Sequence, residues 1–412
     1  MRSLDEALAS LLAAVAPLPT TEAERIATEQ ALDRVLAREV RSMIDVPPAD
    51  NTSMDGYAVC CADVAAAGAV LPVSQRIAAG AVGEALRPGT AARIFTGAPL
   101  PPGADAVVMQ EQCTLQAGDG LGAVRFDAVP TQGQWVRRRG EDIRAGSIVL
   151  AAGTRLTPQA LGLAASVGSG ELVVMRRPRV ALFSTGDELV MPGQVAPEQL
   201  RPGAIYNSNR FTLRGLLESL GCEVRDLGIV PDRLDATREA LKNAAQGNDL
   251  ILTSGGVSLG EEDHLRPALQ AEGRLDLWQI AIKPGKPLAF GAVRRARGGE
   301  AVFLGLPGNP VSSFVTFTVV VRPVLLRLMG ATLVAPQRLT SRADFDWPRP
   351  DPRREFLRVR CNPDGGLDLF PNQSSGVLTS VAWADGLVDN PPGHAIRRGD
   401  TVAYLPLSEL LS

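Results

Sequence analysis

The 412-residue sequence has few of the residues that several common functions require. Aromatic residues make up only 4% of the chain and the net charge is −3, so no base-stacking or basic surface for nucleic acid is expected. With two histidines and no C-x-x-C pair, neighbouring residues cannot assemble a zinc site of the usual kind. The five cysteines argue against a disulfide framework and favour a reducing cytoplasm.

Long hydrophobic segments are also scarce. The N-terminus, MRSLDEALASLLAAVAPLP, contains Asp5 and Glu6 and repeats leucine at helical spacing, which predicts an amphipathic helix rather than a signal peptide. The most apolar later run, VSSFVTFTVVV, meets Arg322 and Pro323 before it reaches the roughly 20 residues of a membrane span. We therefore expect a soluble, cytoplasmic protein that does not enter the membrane.

The pattern of the sequence changes along the chain, which predicts several domains, α/β plus β-rich. A second helix is predicted from about 21 to 38, and another at 158, with Thr157 as N-cap and Pro158 in its first position. Alternating strand and helix patterns predict a doubly wound, mostly parallel sheet covered by helices on both faces. The predicted domains are 1–46 with 141–177, a β-rich module at 47–140, the α/β domain at 178–330 and a C-terminal β domain at 331–412.

Three loops of the α/β domain follow apolar runs and combine glycine with polar residues. Because strand-end loops of a doubly wound sheet converge where the strand order reverses, we expect them to line one crevice. Gly255, Gly256 and Gly308 would let backbone N–H groups approach an oxyanion, and Lys283 and Lys286 add positive charge. The loops are FSTGDEL (183–189), TSGGVSLGEED (253–263) and GLPGNPVSS (305–313).

The same loops carry carboxylates, which would repel an oxyanion. At about 4 Å and an effective dielectric near 20 this repulsion is roughly 4 kcal/mol. A divalent cation reverses its sign, so Asp187, Glu188 and Asp263 are predicted to be ligands of Mg²⁺ or acceptors beside it. Simpler roles stay open, because the acids could cap helices, the glycines could form ordinary turns and the lysines could be solvated.

Eight segments, in this order, resemble the molybdopterin molybdenumtransferase family (MoeA type), which includes the E-domain of gephyrin. The resemblance implies a homodimer of elongated four-domain subunits, in which a molybdopterin-binding α/β domain meets the partner's β-rich module, and a C-terminal β-barrel-like domain. It also implies that molybdate enters adenylylated molybdopterin with Mg²⁺-dependent release of AMP, the final step of molybdenum cofactor biosynthesis. The segments are PPADNTSMDGYAV (47–59), RIFTGAPLPPGADAVVMQE (93–111), RRGEDI (138–143), STGDEL (184–189), GAIYNSN (203–209), TSGGVSLGEED (253–263), IAIKPGKP (280–287) and GLPGNPVS (305–312).

The resemblance also implies roles for individual residues. Arg353 beside Arg354 leaves the choice of arginine open, and Ser374 stands where the family pattern leads us to expect glycine. The implied catalytic residues are Asp263, Asp187, Glu188, Asp55 and Asp142. The implied substrate and oxyanion-binding residues are Thr96, Gly97, Ser254, Gly255, Gly256, Lys283, Lys286, Pro307, Gly308, Asn309, Pro310, Arg354 and Ser375. The residues of the β-rich module and Asp142 could instead belong to plain turns and loops.

Two other functions stay open. The SGG and GLPGNP loops also resemble the molybdopterin adenylyltransferase fold, which would make the chain an adenylyl transferase; that enzyme of the same pathway is also a candidate partner. The gephyrin branch uses this architecture as a scaffold for receptor peptides, which would make the role structural. The SMDGY and GEDI segments favour the molybdenum transferase, and no long linker or second enzyme domain accompanies them.

Overall fold

The computed structural model describes residues 1–257 and 264–411, without the side chains of residues 277 and 278. It begins with the predicted amphipathic helix, α1 (Leu4–Ala14). Ser3 caps this helix through a reciprocal pair of hydrogen bonds with Glu6, in which each side chain accepts the other residue's N–H. The buried face of α1 packs against the last helix of the central domain.

The prediction of a second helix from 21 to 38 is wrong. That segment contains two single 3₁₀ turns, Thr20–Glu22 and Thr28–Gln30, on either side of β1 (Glu24–Ala27). A short strand, β2 (Val40–Arg41), follows.

A six-stranded sheet forms the core of the next segment, in the order β7-β4-β6-β5-β9-β8, and β3 and β10 pair beside it. Its strands alternate between two cores, so that Tyr57 and Val59 pack on one face and Ala58 on the other. The strands are β3 (Asn51–Thr52), β4 (Gly56–Val59), β5 (Val70–Ile77), β6 (Ala91–Ile94), β7 (Ala106–Met109), β8 (Cys113–Gln116), β9 (Ala123–Phe126) and β10 (Val136–Arg137).

The chain then returns to its N-terminal part through β11 (Ile148–Leu150), α2 (Pro158–Ser166) and β12 (Glu171–Val174). β11 pairs with β2 and β12 pairs antiparallel with β1. The predicted cap of α2 is confirmed, because the Thr157 hydroxyl accepts the Ala160 N–H at 3.3 Å.

The central segment is an α/β domain with the sheet order β16-β13-β17-β21-β20-β18. The first four of these strands are parallel, and β20 and β18 continue the sheet antiparallel. Strand order reverses between β13 and β17. The elements are β13 (Arg179–Thr185), β14 (Leu189–Val190), β15 (Ile205–Tyr206), α3 (Ser208–Ser219), β16 (Glu223–Val230), α4 (Leu234–Ala245), β17 (Leu250–Ser254), α5 (Leu265–Glu272), β18 (Gly273–Gln279), β19 (Ile282–Lys283), β20 (Pro287–Arg294), β21 (Glu300–Leu306), α6 (Pro310–Thr316) and α7 (Arg322–Leu328).

Helices cover both faces of this sheet. Leu182 of β13 shares a core with Leu213 of α3 and with residues of α6 and α7, whereas Phe183 shares the opposite core with Leu241 of α4 and residues of α5. The doubly wound architecture is therefore confirmed. It places the carboxyl ends of four parallel strands along one edge.

The most apolar helix lies inside the protein. α6 continues through a π-helical turn (Phe317–Val321) into α7, so Arg322 and Pro323 interrupt the apolar run without ending the helix. Widening the helix just before a proline is one way to accommodate its missing N–H. The helix Pro310–Leu328 is long and apolar enough to cross a membrane, but 94% of its most apolar window is buried, as in a core helix.

The C-terminal segment is a closed five-stranded barrel, as predicted. Its strand order is β23-β24-β22-β26-β25, and β25 pairs back with β23. β19 of the central domain extends the barrel by pairing with β23, which sets Lys283 opposite Glu355. The elements are β22 (Leu339–Ala343), β23 (Arg354–Cys361), β24 (Gly366–Leu369), α8 (Thr379–Trp383), β25 (Gly386–Asn390), β26 (Thr401–Pro406) and α9 (Leu407–Leu410).

Candidate active site

A cavity of about 1310 Å³ opens at the carboxyl ends of the parallel strands. Ser184, Ser254 and Leu306 are register partners on β13, β17 and β21, so the loops that follow them leave the sheet at one level. This is the point where the strand order reverses, the usual position of a ligand crevice in such sheets. The described parts of all three loops predicted to converge do line the cavity.

The turn after β17 requires glycine at two adjacent positions. Gly255 has a φ of +91°, and a Cβ there would lie 2.5 Å from the carbonyl oxygen of Thr185. Gly256 has a φ of +66°, and its Cβ would lie 2.6 Å from Thr185 Oγ1. The Gly255 N–H also donates to the Leu306 carbonyl at 3.1 Å. The three strand ends are thus in close contact, and backbone forms part of the cavity wall.

Gly308 differs from those two glycines. Its backbone lies outside the left-handed region, and an added Cβ would meet only the Gly255 Cα, at 3.9 Å. Its carbonyl has a partner, because Asn209 Nδ2 donates to it at 2.7 Å. The same Nδ2 donates to Ser254 Oγ at 2.7 Å. One amide on α3 therefore joins the loop after β17 to the loop after β21.

Asn207 and Asn209 both line the cavity and were not among the predicted site residues. They belong to the segment GAIYNSN, and their position at the start of α3 was the signal that could have identified them. Asn207 caps α3, since its Oδ1 accepts the Arg210 N–H at 3.2 Å. Its Nδ2 and Thr185 Oγ1 are buried, and neither has a hydrogen-bond partner within residues 1–257 and 264–411. Both residues line the cavity, so each brings one uncommitted polar atom to its wall.

Three cations line the cavity: Lys283, Lys286 and Arg353. Lys283 Nζ lies 3.2 Å from Glu355 Oε1 and 3.4 Å from Asp351 Oδ2. Arg353 binds Asp351 through two hydrogen bonds, which hold the pKa of that carboxyl well below its usual range. Lys286 is exposed and has no ion-pair partner in the part of the chain that the structure describes. This wall can attract an anion, although two carboxylates of the barrel offset part of its charge.

Among the described residues, two carboxylates also line the cavity: Glu188, which follows β13, and Asp232, which follows β16. Burial raises the pKa of Asp232, and the negative charges of Asp187 and Glu188 act in the same direction. Asp187 is not part of the lining, but its Oδ1 accepts the Asp232 N–H at 3.1 Å and so fixes the backbone that carries Asp232. Asp232 was not among the residues predicted from the sequence. It follows β16, the fourth parallel strand, just as the predicted acids follow other parallel strands.

Known proteins match this chain along its whole length. Three family models match: the MoeA N-terminal region (domain I and II) at 2–168, a probable molybdopterin binding domain at 181–327 and the MoeA C-terminal region (domain IV) at 340–407. A molybdopterin molybdenumtransferase of Haemophilus influenzae is 42% identical over 100% of both chains. Proteins with the same name from Synechococcus elongatus and Bacillus subtilis are 38% and 34% identical, over 93% and 94% of this chain and 94% and 90% of theirs.

The chain belongs to the molybdopterin molybdenumtransferase family. The family predicted from the motifs is therefore confirmed. Its fold agrees with a crystal structure of the molybdopterin biosynthesis MoeA protein of Pyrococcus horikoshii OT3, with a TM-score of 0.84 and 27% identity. That match covers 98% of this chain and 100% of the other.

Mg²⁺, which the family resemblance implies, fits the chemistry of these residues. Glu188 and Asp232 offer oxygen donors, and Mg²⁺ commonly takes only one or two carboxylates together with water and phosphate. A cation would also offset the repulsion that helps to raise the pKa of Asp232. Within the described residues no group of three potential ligand side chains is preassembled. Asp263, a predicted ligand, lies outside the described residues.

Most of the predicted substrate-binding residues of the central domain line the cavity of this transferase family member. Ser375 also lies there, with Gln373, Ser374 and Gly376, on the barrel loop that precedes α8. The loop is attached to α6 because the Val311 N–H donates to the Ser375 carbonyl at 3.0 Å. The predicted residues that line the cavity are Glu188, Ser254, Gly255, Gly256, Lys283, Lys286, Pro307, Gly308, Asn309, Pro310 and Ser375.

The structure places the two neighbouring arginines differently. Arg353 lines the cavity, whereas Arg354 does not. The Arg354 guanidinium instead donates two hydrogen bonds to Asp389, at 2.5 and 2.6 Å, and one to Asp5 at 2.9 Å. β23 begins at Arg354, so Arg353 lies in the bend that precedes the strand.

The predicted residues of the β-rich module, and Asp142, do not line this cavity in the single chain. Asp55 and Thr96 do meet each other: Asp55 Oδ1 accepts both the N–H and the hydroxyl of Thr96 at 2.7 Å. These bonds hold the pKa of the Asp55 carboxyl below its usual range. Gly97 follows with a φ of +83°, in the turn beyond β6, and Asp142 is exposed. The structure thus brings together one predicted pair, apart from the cavity.

Proposed function

We propose that this chain is a transferase that inserts molybdenum, supplied as molybdate, into molybdopterin in the final step of molybdenum cofactor biosynthesis. The observation that carries the proposal is the cavity at the strand-order reversal. It combines a backbone wall at Gly255 and Gly256 with the cations already described and with the carboxylates of Glu188 and Asp232. Full-length relatives named for this activity support the same conclusion.

The residues of the cavity divide into two sets. Lys283, Lys286 and Arg353 would attract the molybdate and phosphate oxygens, and the Gly255–Gly256 turn would bring backbone N–H groups close to them. The uncommitted donor of Asn207 adds a neutral hydrogen bond at the same wall. Together these groups stabilise negative charge on the reactants and on the departing phosphate.

We further propose that the substrate is adenylylated molybdopterin and that the reaction depends on Mg²⁺. Glu188 and Asp232 would hold the ion, with Asp263 as a further ligand and Asp187 fixing the backbone of Asp232. When bound, Mg²⁺ neutralises phosphate oxygens and favours release of AMP. Asp232 thereby keeps its charge beside an anionic substrate, although burial opposes that charge.

The assembly is also part of the proposal. We infer a cytoplasmic homodimer in which Asp55, Thr96, Gly97 and Asp142 of one subunit complete the cavity of the other, and the adenylyltransferase of the pathway as a partner. The domain bounds 1–46 with 141–177, 47–140, 178–330 and 331–412 belong to the same proposal. The β1–β12 and β2–β11 pairings support joining the first two segments.

The test uses purified protein with adenylylated molybdopterin and Mg²⁺, and measures AMP with and without molybdate. Molybdate-dependent release of AMP is expected, with about a 100-fold loss in Asp232→Asn. Asp344→Asn is the matched control. Asp344 pairs with Arg342 and Asn362 of the barrel, so this substitution should leave turnover unchanged. AMP release that ignores molybdate, or full turnover in a chelator, would contradict the proposal.

A further inference from the structure

Lys283 joins the two domains that form the cavity. It lies on β19, which belongs to the central segment but pairs with β23 of the barrel. Lysine is rare in this chain, since only Lys242, Lys283 and Lys286 occur among 42 basic residues. An arginine at position 283 would have been the ordinary choice for this composition. We therefore consider which contacts hold this lysine.

Its main partner is Glu355, directly opposite on β23. The Glu355 side chain is only 1% exposed. Its Oε2 accepts the Trp347 indole N–H at 2.8 Å and an Asn390 amide N–H at 3.3 Å. Its Oε1 lies 3.2 Å from Lys283 Nζ and has no hydrogen-bond partner of its own in the described part of the chain. One oxygen is thus fixed to the barrel and the other is left for the ammonium.

This arrangement restrains a flexible side chain. A lysine has about 2 kcal/mol of rotamer entropy and forms a point contact, so binding an anion with it normally costs ordering. The rigid, buried Glu355 carboxylate orders the Lys283 ammonium before the substrate binds, so part of that entropic cost is already met. The contact keeps the ammonium at the cavity wall, with 39% of the Lys283 side chain exposed. Asp351, at 3.4 Å, is a second contact, which Lys283 shares with Arg353.

We propose that Glu355 is a positioning residue, which holds Lys283 Nζ at the oxyanion-binding wall, so that the C-terminal barrel sets the geometry of a cation in the central domain. The proposal rests on the proposed function for its catalytic meaning. Its structural part, the restraint of the Lys283 ammonium, stands separately. Glu355 touches no reactant and acts only through Lys283.

Glu355→Gln is the test variant, because the amide keeps an oxygen for Trp347 and removes the charge that faces Lys283. Asp344→Asn again serves as the control: it removes a carboxylate of the same barrel whose partners lie outside the cavity lining. Melting temperature and oligomeric mass of both variants establish that they fold.

The first measurement is trace acetylation with acetic anhydride, with each lysine quantified by mass spectrometry. We expect acetylation of Lys283, relative to Lys242, to rise about fivefold in Glu355→Gln, which corresponds to loss of an ion pair of about 1 kcal/mol. Acetylation of Lys286 in Glu355→Gln, and of Lys283 in the control variant, should not change. An unchanged Lys283 ratio in a folded variant would overturn the proposal, whatever the activity of the enzyme.

The second measurement is steady-state AMP release at varied molybdate. The variant loses the negative charge that offsets Lys283, and the ammonium loses its orientation, so we expect KM for molybdate to stay within about twofold or to fall while kcat falls about 10-fold or more. A kcat equal to that of the wild type, with acetylation of Lys283 raised, would show that the contact does not serve catalysis and would overturn the positioning role. Inactivity of the wild type would instead count against the proposed function and leave the acetylation result to decide the restraint.

Should Glu355→Gln fail to fold, Glu355→Asp keeps the charge but shortens the side chain by one methylene, which withdraws the carboxylate from Lys283 Nζ. A selective rise in Lys283 acetylation is again required, smaller than about fivefold because the charge persists nearby. Equal acetylation in Glu355→Asp and the wild type would overturn the proposal.

Discussion

Asp232 is the carboxyl group whose ionisation is most closely tied to the cavity. Burial raises its pKa, and Asp187 and Glu188 add to the shift, so the folded chain disfavours its charged form. Because the folded pKa lies above the unfolded value, the folded state binds more protons between the two. The free energy of unfolding therefore falls as pH rises through that window, and the full penalty is present above it.

Replacing Asp232 by Asn should remove this penalty. Without metal, the variant is expected to melt at a higher temperature than the wild type at about pH 7, and the difference should vanish below about pH 3, where both states are protonated. Mg²⁺ should raise the melting temperature of the wild type more than that of the variant. Calorimetry across pH, with and without Mg²⁺, measures both effects. A variant that melts lower than the wild type at neutral pH would contradict this account of the shift.

The glycines of the cavity provide a matched comparison. Gly255→Ala places a Cβ 2.5 Å from the Thr185 carbonyl oxygen in a left-handed backbone, whereas Gly308→Ala meets only ordinary contact at 3.9 Å. We expect urea denaturation to show a loss of about 1–3 kcal/mol for Gly255→Ala and less than about 0.5 kcal/mol for Gly308→Ala. Equal losses would mean that the turn after β17 relaxes without cost.

The loops of the central sheet are joined through α3. Asn209→Asp keeps the size of the side chain but turns a double donor into an acceptor facing the Gly308 carbonyl. We expect it to destabilise by about 1–3 kcal/mol and to speed exchange of the Gly255 amide, which bonds to the Leu306 carbonyl between the same loops. Asn248→Asp, a buried asparagine that donates to carbonyls at the end of α4, is the control and should leave that amide protected. Unchanged exchange in the first variant would show that Asn209 does not connect the loops.

Locally encoded elements were predictable from the sequence. Thr157 and Pro158 start α2 because a hydroxyl cap and a fixed φ act within one turn. Residues 21–38 carry a similar helical pattern, yet β1 forms there because it pairs with β12, about 150 positions further along the chain. A pairing over that distance leaves no mark in the local pattern, so the helix prediction had no means of detecting it.

The site was predictable to the extent that topology determines it. Apolar runs followed by Gly255 and by Gly308 identified two strand ends, and the parallel register brought them together. Asp232 escaped notice because the loop after β16 lacks glycine as a signal. Arg353 and Arg354 could not be separated, because their orientation depends on where β23 begins.

The single chain leaves part of the proposed machinery away from its own cavity. Asp55 and Thr96 are bonded to each other on the β-rich module, and neither belongs to the cavity lining of the central domain. The proposed closed symmetric dimer would resolve this, because a module that does not line its own subunit's cavity could line the partner's, and two such sites would form at once. The proposed assembly then has one strict consequence for mixed dimers.

Mixing Asp55→Asn with Asp232→Asn subunits should restore activity that each variant lacks alone. In a mixed dimer one cavity receives both intact groups and the other neither, so free exchange at equal amounts gives about a quarter of the wild-type sites. Asp55→Asn mixed with Asp142→Asn is the matched control: both changes lie on the side that each subunit lends to its partner, so every cavity stays defective. Subunit exchange is verified by native mass spectrometry, and AMP release is measured on the same samples. Mixed dimers without recovered turnover would mean that each subunit completes its own cavity. Recovery in the control would mean that Asp55 and Asp142 of one subunit serve different cavities, and it would also contradict the proposed assembly.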